Sequence, residues 1–258
     1  MKKTQPLGLT NKIFVKKNHL YKKSIRSSDY FLNRADEKKF YETFSQELFL
    51  KVPNTIKKAW GHWWSVMPFY RQASTLPKTE LTTEQLKIVK DLIDKLHNLQ
   101  LDLTIFDPQE FLNLFIKKIG LLPTLECLWP RIQEIIHDYY FDNHTLVVSH
   151  NDLIRENFLM VDGEYFLIDF EYVSLNHYLF DYASFISEAL DEQEGQRFKD
   201  LLKLNAHESK KLNDLILYQN FLWAHWAQYM LEKTKMPIYE TIKQQKVAQA
   251  LHRPKSLE

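Results

Sequence analysis

Between residues 145 and 168 the hydrophobic period of the chain changes. Three short β-type runs, 145–149, 158–161 and 165–168, interrupt a sequence that reads as helical on both sides. Asp162-Gly163 is a hairpin turn between the last two runs. A polar loop, Ser149-His150-Asn151-Asp152-Leu153-Ile154-Arg155-Glu156-Asn157, fills the gap between the first two. Strand, polar loop, hairpin and strand in so short a span exclude a plain helical bundle. With a second β-type region near the start of the chain, they make the fold class α+β.

That second region lies in the first seventy residues. Residues 11–15 and 19–23 read as strands joined by a Lys16-Lys17-Asn18 turn. A helix is predicted over 35–48, because Phe40, Tyr41, Phe44 and Leu48 form one apolar stripe. The aromatic run 59–70 reads as a strand ending at Pro68. The polar stretch 71–77 is the candidate boundary, giving a small lobe over 1–70 and a larger one over 71–258. Thr82 to Gln85 starts a helix with Leu86, Val89, Leu92, Ile93 and Leu96 at helical spacing. Further helices are predicted over 109–119, 124–140, 180–190, 192–204, 208–232 and 238–251.

Composition narrows the function classes. The 34 basic and 33 acidic side chains leave a formal charge of +1, which argues against a nucleic acid partner. No apolar run approaches the roughly 18 residues of a membrane span, so no stable membrane insertion is expected. A single cysteine, Cys127, forms no internal disulfide and suits a reducing cytoplasm; in an apolar helix it reads as a small buried side chain. Five glycines in 258 residues mean that any glycine-rich phosphate loop is abbreviated. Oligomeric state is not legible.

The chemistry-bearing segment is the polar loop together with Ile168-Asp169-Phe170-Glu171-Tyr172. An aspartate between a strand and a hairpin can face a substrate hydroxyl, and an asparagine five residues on can turn back toward it. A second aspartate returns at the end of the next strand. Asp and Asn oxygens are the hard ligands that Mg2+ prefers. The spacing His-x-Asp-x-x-x-x-Asn matches the catalytic loop of kinases, where the Asp takes the hydroxyl proton and the Asn holds a metal. Any one of these residues alone reads as a turn cap; four at matched positions do not.

With these residues in view, the chain resembles the choline and ethanolamine kinases. They sit within the wider aminoglycoside-phosphotransferase-like, protein-kinase-like fold. The matching residues are His150-Asn151-Asp152-Leu153, Asn157, Ile168 to Tyr172, Asn176 and Phe180-Asp181, with Leu9-Thr10-Asn11-Lys12 and Leu96-His97-Asn98-Leu99 as further matches. The resemblance implies a bilobal fold with a small β-rich N-lobe, a larger mostly helical C-lobe and ATP between them. It implies Asp152 as catalytic base, Asn157 and Asp169 as catalytic ligands of Mg2+, and Thr10 and Asn11 in the nucleotide-binding turn.

A phosphate-gripping lysine is expected on the strand after that turn. Lys22 and Lys23 both qualify, and alternation lets only one face the site; position against the family strand favours Lys23. Glu37 would be its ion-pair partner. The glycine turn is reduced to Gly8. Tyr172, Glu188, Trp223 and Trp226 match the family's substrate box, aromatic faces for a quaternary ammonium and a carboxylate for counter-charge. Tyr239 is a further candidate wall. The implied activity is ATP-dependent phosphorylation of the hydroxyl of choline, a small-molecule substrate. The alternatives are another amino-alcohol or aminoglycoside kinase of the same fold, with ethanolamine the nearest acceptor, and a catalytically inactive choline-binding module. Apart from this site, His150 is expected to orient the loop, Trp60, Trp63 and Trp64 to pack in the small lobe, and the lysines of 235–255 to be solvated. Asn176 and Asp181 are expected to brace the loop after Asp169.

Overall fold

The computed structural model describes residues 9–44, 55–142 and 145–252. Gly8 and the last residues of the helix expected over 35–48 lie outside them. The described chain has a small antiparallel sheet in its N-terminal region and a larger helical part, divided into two compact units. Residues 1–104 and 147–175 form one, and 105–146 with 176–258 form the other. The boundary expected at residue 71 therefore falls inside the first unit.

In the first unit, β1 (Asn11–Lys16), β2 (His19–Ser24), β3 (Thr55–Ala59) and β4 (His62–Pro68) form a sheet of order β1-β2-β4-β3. The turn at Lys17 and Asn18 has both residues at positive φ, 48° and 58°, the backbone a two-residue hairpin needs. The run expected as one strand over 59–70 holds β4, which ends at Pro68 as expected, but its first residues are the tip of the β3–β4 hairpin. Trp60 and Gly61 turn at φ 48° and 74°, and Trp60 projects with 90 % of its surface exposed. The expectation that Trp60 packs inside the small lobe is thereby corrected: a tip residue has no neighbouring layer to bury it.

The helix α1 (Arg34–Thr43) is capped by Asn33, whose side chain accepts from the N–H groups of Ala35 and Asp36. It buries Phe40 and Tyr41. β5 (Ser74–Thr75) pairs with β7 (Phe158–Val161), which pairs in turn with β8 (Glu164–Leu167) across the Asp162-Gly163 turn. α2 (Thr83–His97) begins with the capping box Thr82/Gln85 and buries the five apolar residues expected from its spacing.

The second unit is helical. It holds α3 (Pro108–Ile119), a 3-10 turn at Pro123–Leu128, α4 (Trp129–Phe141), α5 (Leu179–Ala189), α6 (Glu192–Leu202), α7 (Ala206–Thr234) and α8 (Ile238–Leu251). Two short strands, β6 (Leu146–Ser149) and β9 (Ser174–His177), carry the chain across the unit boundary. Phe115, Phe180, Phe185, Phe198 and Phe221 are fully buried in its core. Asn176 is buried, and its amide oxygen accepts from Tyr139 Oη at 2.8 Å and from the His177 N–H. Cys127 is exposed, against expectation, because the segment is a surface 3-10 turn and not an apolar helix.

Candidate active site

The polar loop is held by its own histidine. His150 is fully buried, and the Asp152 N–H donates to its Nδ1 at 3.3 Å. Nδ1 is thus an acceptor, so the proton sits on Nε2, which donates to the Ile168 carbonyl at 2.9 Å. One ring ties the loop to the strand that delivers Asp169. Asn151 stands at φ 68°, a left-handed conformation that Asn tolerates, with Nδ2 on the Tyr172 carbonyl and Ser174 Oγ, both at 2.8 Å.

Asn157 closes the same frame. Its Nδ2 donates to the Asp152 carbonyl at 2.8 Å, and its own carbonyl receives the Ile168 N–H at 2.9 Å. The amide N–H is spent inward, so the amide oxygen is the atom left to face a cation. Asp169 follows at φ 71°. Phe170, fully buried, stacks on Phe40 of α1 at 4.2 Å and lies 4.8 Å from the His150 ring. The apolar stripe of α1 thus seats the residue between the two acids.

Lys22 Nζ is 2.5 Å from Asp169 Oδ1, and the lysine is buried. Lys23 points the other way, 5.3 Å over the Trp64 ring. The expectation for Lys23 is corrected: β2 pairs Lys22 with Ser65 and Lys23 with Trp64, which sets the faces opposite to the assumed register. Glu37 does not take the strand lysine as its ion-pair partner either. Its carboxylate accepts from Arg34 at 2.7 Å, one helical turn back on α1.

The sequence reading left Arg34 out and placed Glu171 in the key segment without giving it a role. Arg34 Nη2 donates to Asn11 Oδ1 at 3.0 Å, while Nη1 reaches Glu37 and, at 3.3 Å, Glu171. Glu171 accepts from Thr10 Oγ1 and from Asn11 Nδ2, the latter at 2.7 Å. Both turn side chains expected at the nucleotide are therefore engaged by this carboxylate. Their closeness could only have been guessed from the acid two places after Asp169.

Lys22, Arg34, Glu37 and Glu171 are buried, and with half-buried Asp169 they group three carboxylates and two cations. Burial pushes Asp169 upward, but Lys22 beside it overcomes that and holds it below the usual carboxylate range. Burial and then the charge of Asp169 push Glu171 up. Burial opposes the charge on Lys22, and Asp169 and Glu171 together still hold its ammonium above the ordinary value.

Among the described residues no three His, Cys, Asp or Glu side chains gather as a metal site. Asp169 and the Asn157 oxygen would make a two-donor set of the kind that suits Mg2+, an ion commonly held by one or two protein oxygens plus substrate phosphates and water.

The rest of the predicted substrate box divides between the units. Tyr172, in the first, stacks on Phe31 at 6.1 Å. In the second, Trp223 and Trp226 meet edge to face at 5.6 Å, and Tyr239 meets Trp226 at 5.5 Å. The two indoles keep 7 % and 6 % of their surface exposed, and Tyr239 none. Glu188 is 2.6 Å from Lys246, a buried lysine of α8. That corrects the expectation of a wholly solvated lysine face over 235–255.

Residues 124–211 match the family model for choline/ethanolamine kinase. A curated relative, Protein LicA of Haemophilus influenzae, is 36% identical over 91 residues, which is 31% of this chain and 33% of the relative. The matched segment thus spans about a third of that relative's length. Among solved structures, choline kinase LicA from Streptococcus pneumoniae superposes with a TM-score of 0.73 at 19% identity, covering 96% of this chain and 91% of the other. An ethanolamine kinase of Plasmodium vivax gives 0.66 at 15% identity, covering 95% and 80%. The protein-kinase-like fold expected from the sequence is the fold of this chain, and the resemblance to the choline and ethanolamine kinases recurs in the family model.

Proposed function

We propose that the chain is an ATP- and Mg2+-dependent phosphotransferase that phosphorylates the hydroxyl of choline, giving phosphocholine. The observation that carries this reading is the frame around Asn157, which donates to the Asp152 carbonyl and accepts from the Ile168 N–H. Asp152, Asn157 and Asp169 are thereby built on one hydrogen-bonded element, in the order a kinase loop requires. Asp152 is half-buried and would orient the acceptor hydroxyl and take its proton. Asn157 and Asp169 would hold Mg2+, which when bound neutralises charge on the transferred phosphoryl group. Lys22 takes the phosphate-gripping role that the resemblance assigns to a strand lysine.

Glu171 and Arg34 hold Thr10 and Asn11, so the abbreviated nucleotide turn is braced by side chains. Residues 1–70 would form the nucleotide lobe and 71–258 the catalytic lobe. Trp223 and Trp226 would supply aromatic surface for a quaternary ammonium. No helix among the described residues is long and apolar enough to cross a membrane. A cytoplasmic site of action, where ATP is at hand, goes with this reading.

The test is a coupled assay of ATP consumption against choline, ethanolamine and an aminoglycoside, with phosphocholine identified by phosphorus NMR. Choline should lead in kcat/KM by at least about tenfold, equivalent to roughly 1.4 kcal/mol. Absence of turnover with every acceptor refutes the reading in favour of a binding module. A preference for ethanolamine would keep the reaction and change the substrate.

A further inference from the structure

The ion pair of Glu188 and Lys246 bears on how an acceptor is chosen. Lys246 Nζ lies 2.6 Å from the Glu188 carboxylate, 2.8 Å from the Ser187 carbonyl and 3.3 Å from Asn220 Oδ1. An ammonium has three N–H donors, and here there is an acceptor for each. Its side chain is 3 % exposed and that of Glu188 14 %. A half-buried carboxylate with this buried partner is neutralised from within the protein.

The pair is continuous with the aromatic group. Tyr239 and Lys246 are seven residues apart on α8 and share a face. Asn220, Trp223 and Trp226 step by three along α7. Tyr239 meets Trp226, and Lys246 meets Asn220, so both sets lie along one antiparallel α7–α8 interface. A primary ammonium entering this neighbourhood would need acceptors for three N–H groups, and the obvious carboxylate is already taken. A quaternary ammonium needs none and is attracted by aromatic faces alone.

We infer that Lys246 sets acceptor specificity: by holding Glu188 in an internal ion pair it withholds the carboxylate a primary ammonium requires, and so selects cations without N–H donors. The inference rests on the aromatic surface proposed above, and it makes Lys246 a positioning residue acting through Glu188.

The experiment titrates the full chain with tetramethylammonium and with methylammonium, read by tryptophan fluorescence, so that it does not depend on turnover. The wild-type protein should bind tetramethylammonium at least tenfold more tightly than methylammonium. Lys246→Met, which keeps the stem and removes the charge, should reduce that ratio at least tenfold, chiefly by tightening methylammonium. The double variant Lys246→Met with Glu188→Gln leaves no charge buried and decides the matter if the single variant does not fold. It should bind tetramethylammonium within about threefold of wild type, whereas a carboxylate that itself serves the ligand predicts at least a tenfold loss. An unchanged ratio in a folded Lys246→Met protein, that loss in the double variant, or no binding of either cation by the wild type overturns the inference. Failure of the wild type to phosphorylate any amino alcohol is a separate result, and would remove the kinase reading while the titrations still stand.

Discussion

Lys22 Nζ lies 2.5 Å from Asp169 Oδ1, and the lysine next to it in sequence, Lys23, sits over Trp64 on the opposite face of the sheet. Two like residues one position apart therefore do unlike work. Removing Lys22 leaves half-buried Asp169 without its counter-charge. Breaking a fully buried pair from one side costs about 3–5 kcal/mol, and the partial exposure of Asp169 brings the loss to the low end of that range. Lys22→Met should lower stability by that order and raise the KM for ATP. Lys23→Met should cost about 0.5–1 kcal/mol, the scale of a half-exposed cation–π contact, and leave the KM alone. Urea unfolding and ATP kinetics on both variants check the ranking; equal effects would dissolve the distinction.

Asp152→Asn should depress phosphoryl transfer far more than tenfold while the KM for ATP stays near wild type. Asp152 faces the hydroxyl, not the nucleotide, in the proposed reaction. Asp169→Asn should harm turnover and ATP binding together. Retention of more than about a tenth of the turnover in Asp152→Asn, a barrier change below roughly 1.4 kcal/mol, would rule Asp152 out as the base.

Arg34 touches Asn11, Glu37 and Glu171 with one planar group. A lysine has a single nitrogen and cannot span the three. Arg34→Lys should therefore fail to rescue what Arg34→Met loses, about 3–5 kcal/mol for the uncompensated carboxylates. Chemical denaturation of both variants gives the comparison, and near-wild-type stability of Arg34→Lys would show that charge alone suffices.

His225 is fully buried in α7. Its Nε2 accepts from the Leu122 N–H at 3.1 Å, and its Nδ1–H donates to the Phe221 carbonyl at 2.8 Å. Burial lowers its pKa to about 4, against the pull of that carbonyl. The unfolded chain takes up the proton near pH 6.5, while the folded one does so only near 4. The stabilisation is thus complete above about pH 6.5 and is lost as pH falls toward 4, by up to about 3 kcal/mol. Thermal unfolding across that range should slope accordingly, and His225→Gln should flatten the slope.

Much was written in local sequence, because turns and caps depend on neighbours in the chain. Asp162-Gly163 and Lys17-Asn18 require left-handed backbone, Thr82 and Gln85 cap each other, and the His150 to Asn157 spacing defines a loop whose hydrogen bonds are almost all internal. Spacing likewise placed Trp223 and Trp226 on one helix face.

Tertiary structure alone decided which side of β2 looks at Asp169. Alternation gives a strand two faces without naming either, and only pairing with β4 resolves them. It decided that Glu171 would hold Thr10, a residue 161 positions away, for which no local pattern exists. It decided, too, that Lys246 is buried. A lysine among polar neighbours on a helix reads as solvated until another helix brings a carboxylate to it, and burial of a charge depends on that partner rather than on anything in the segment itself.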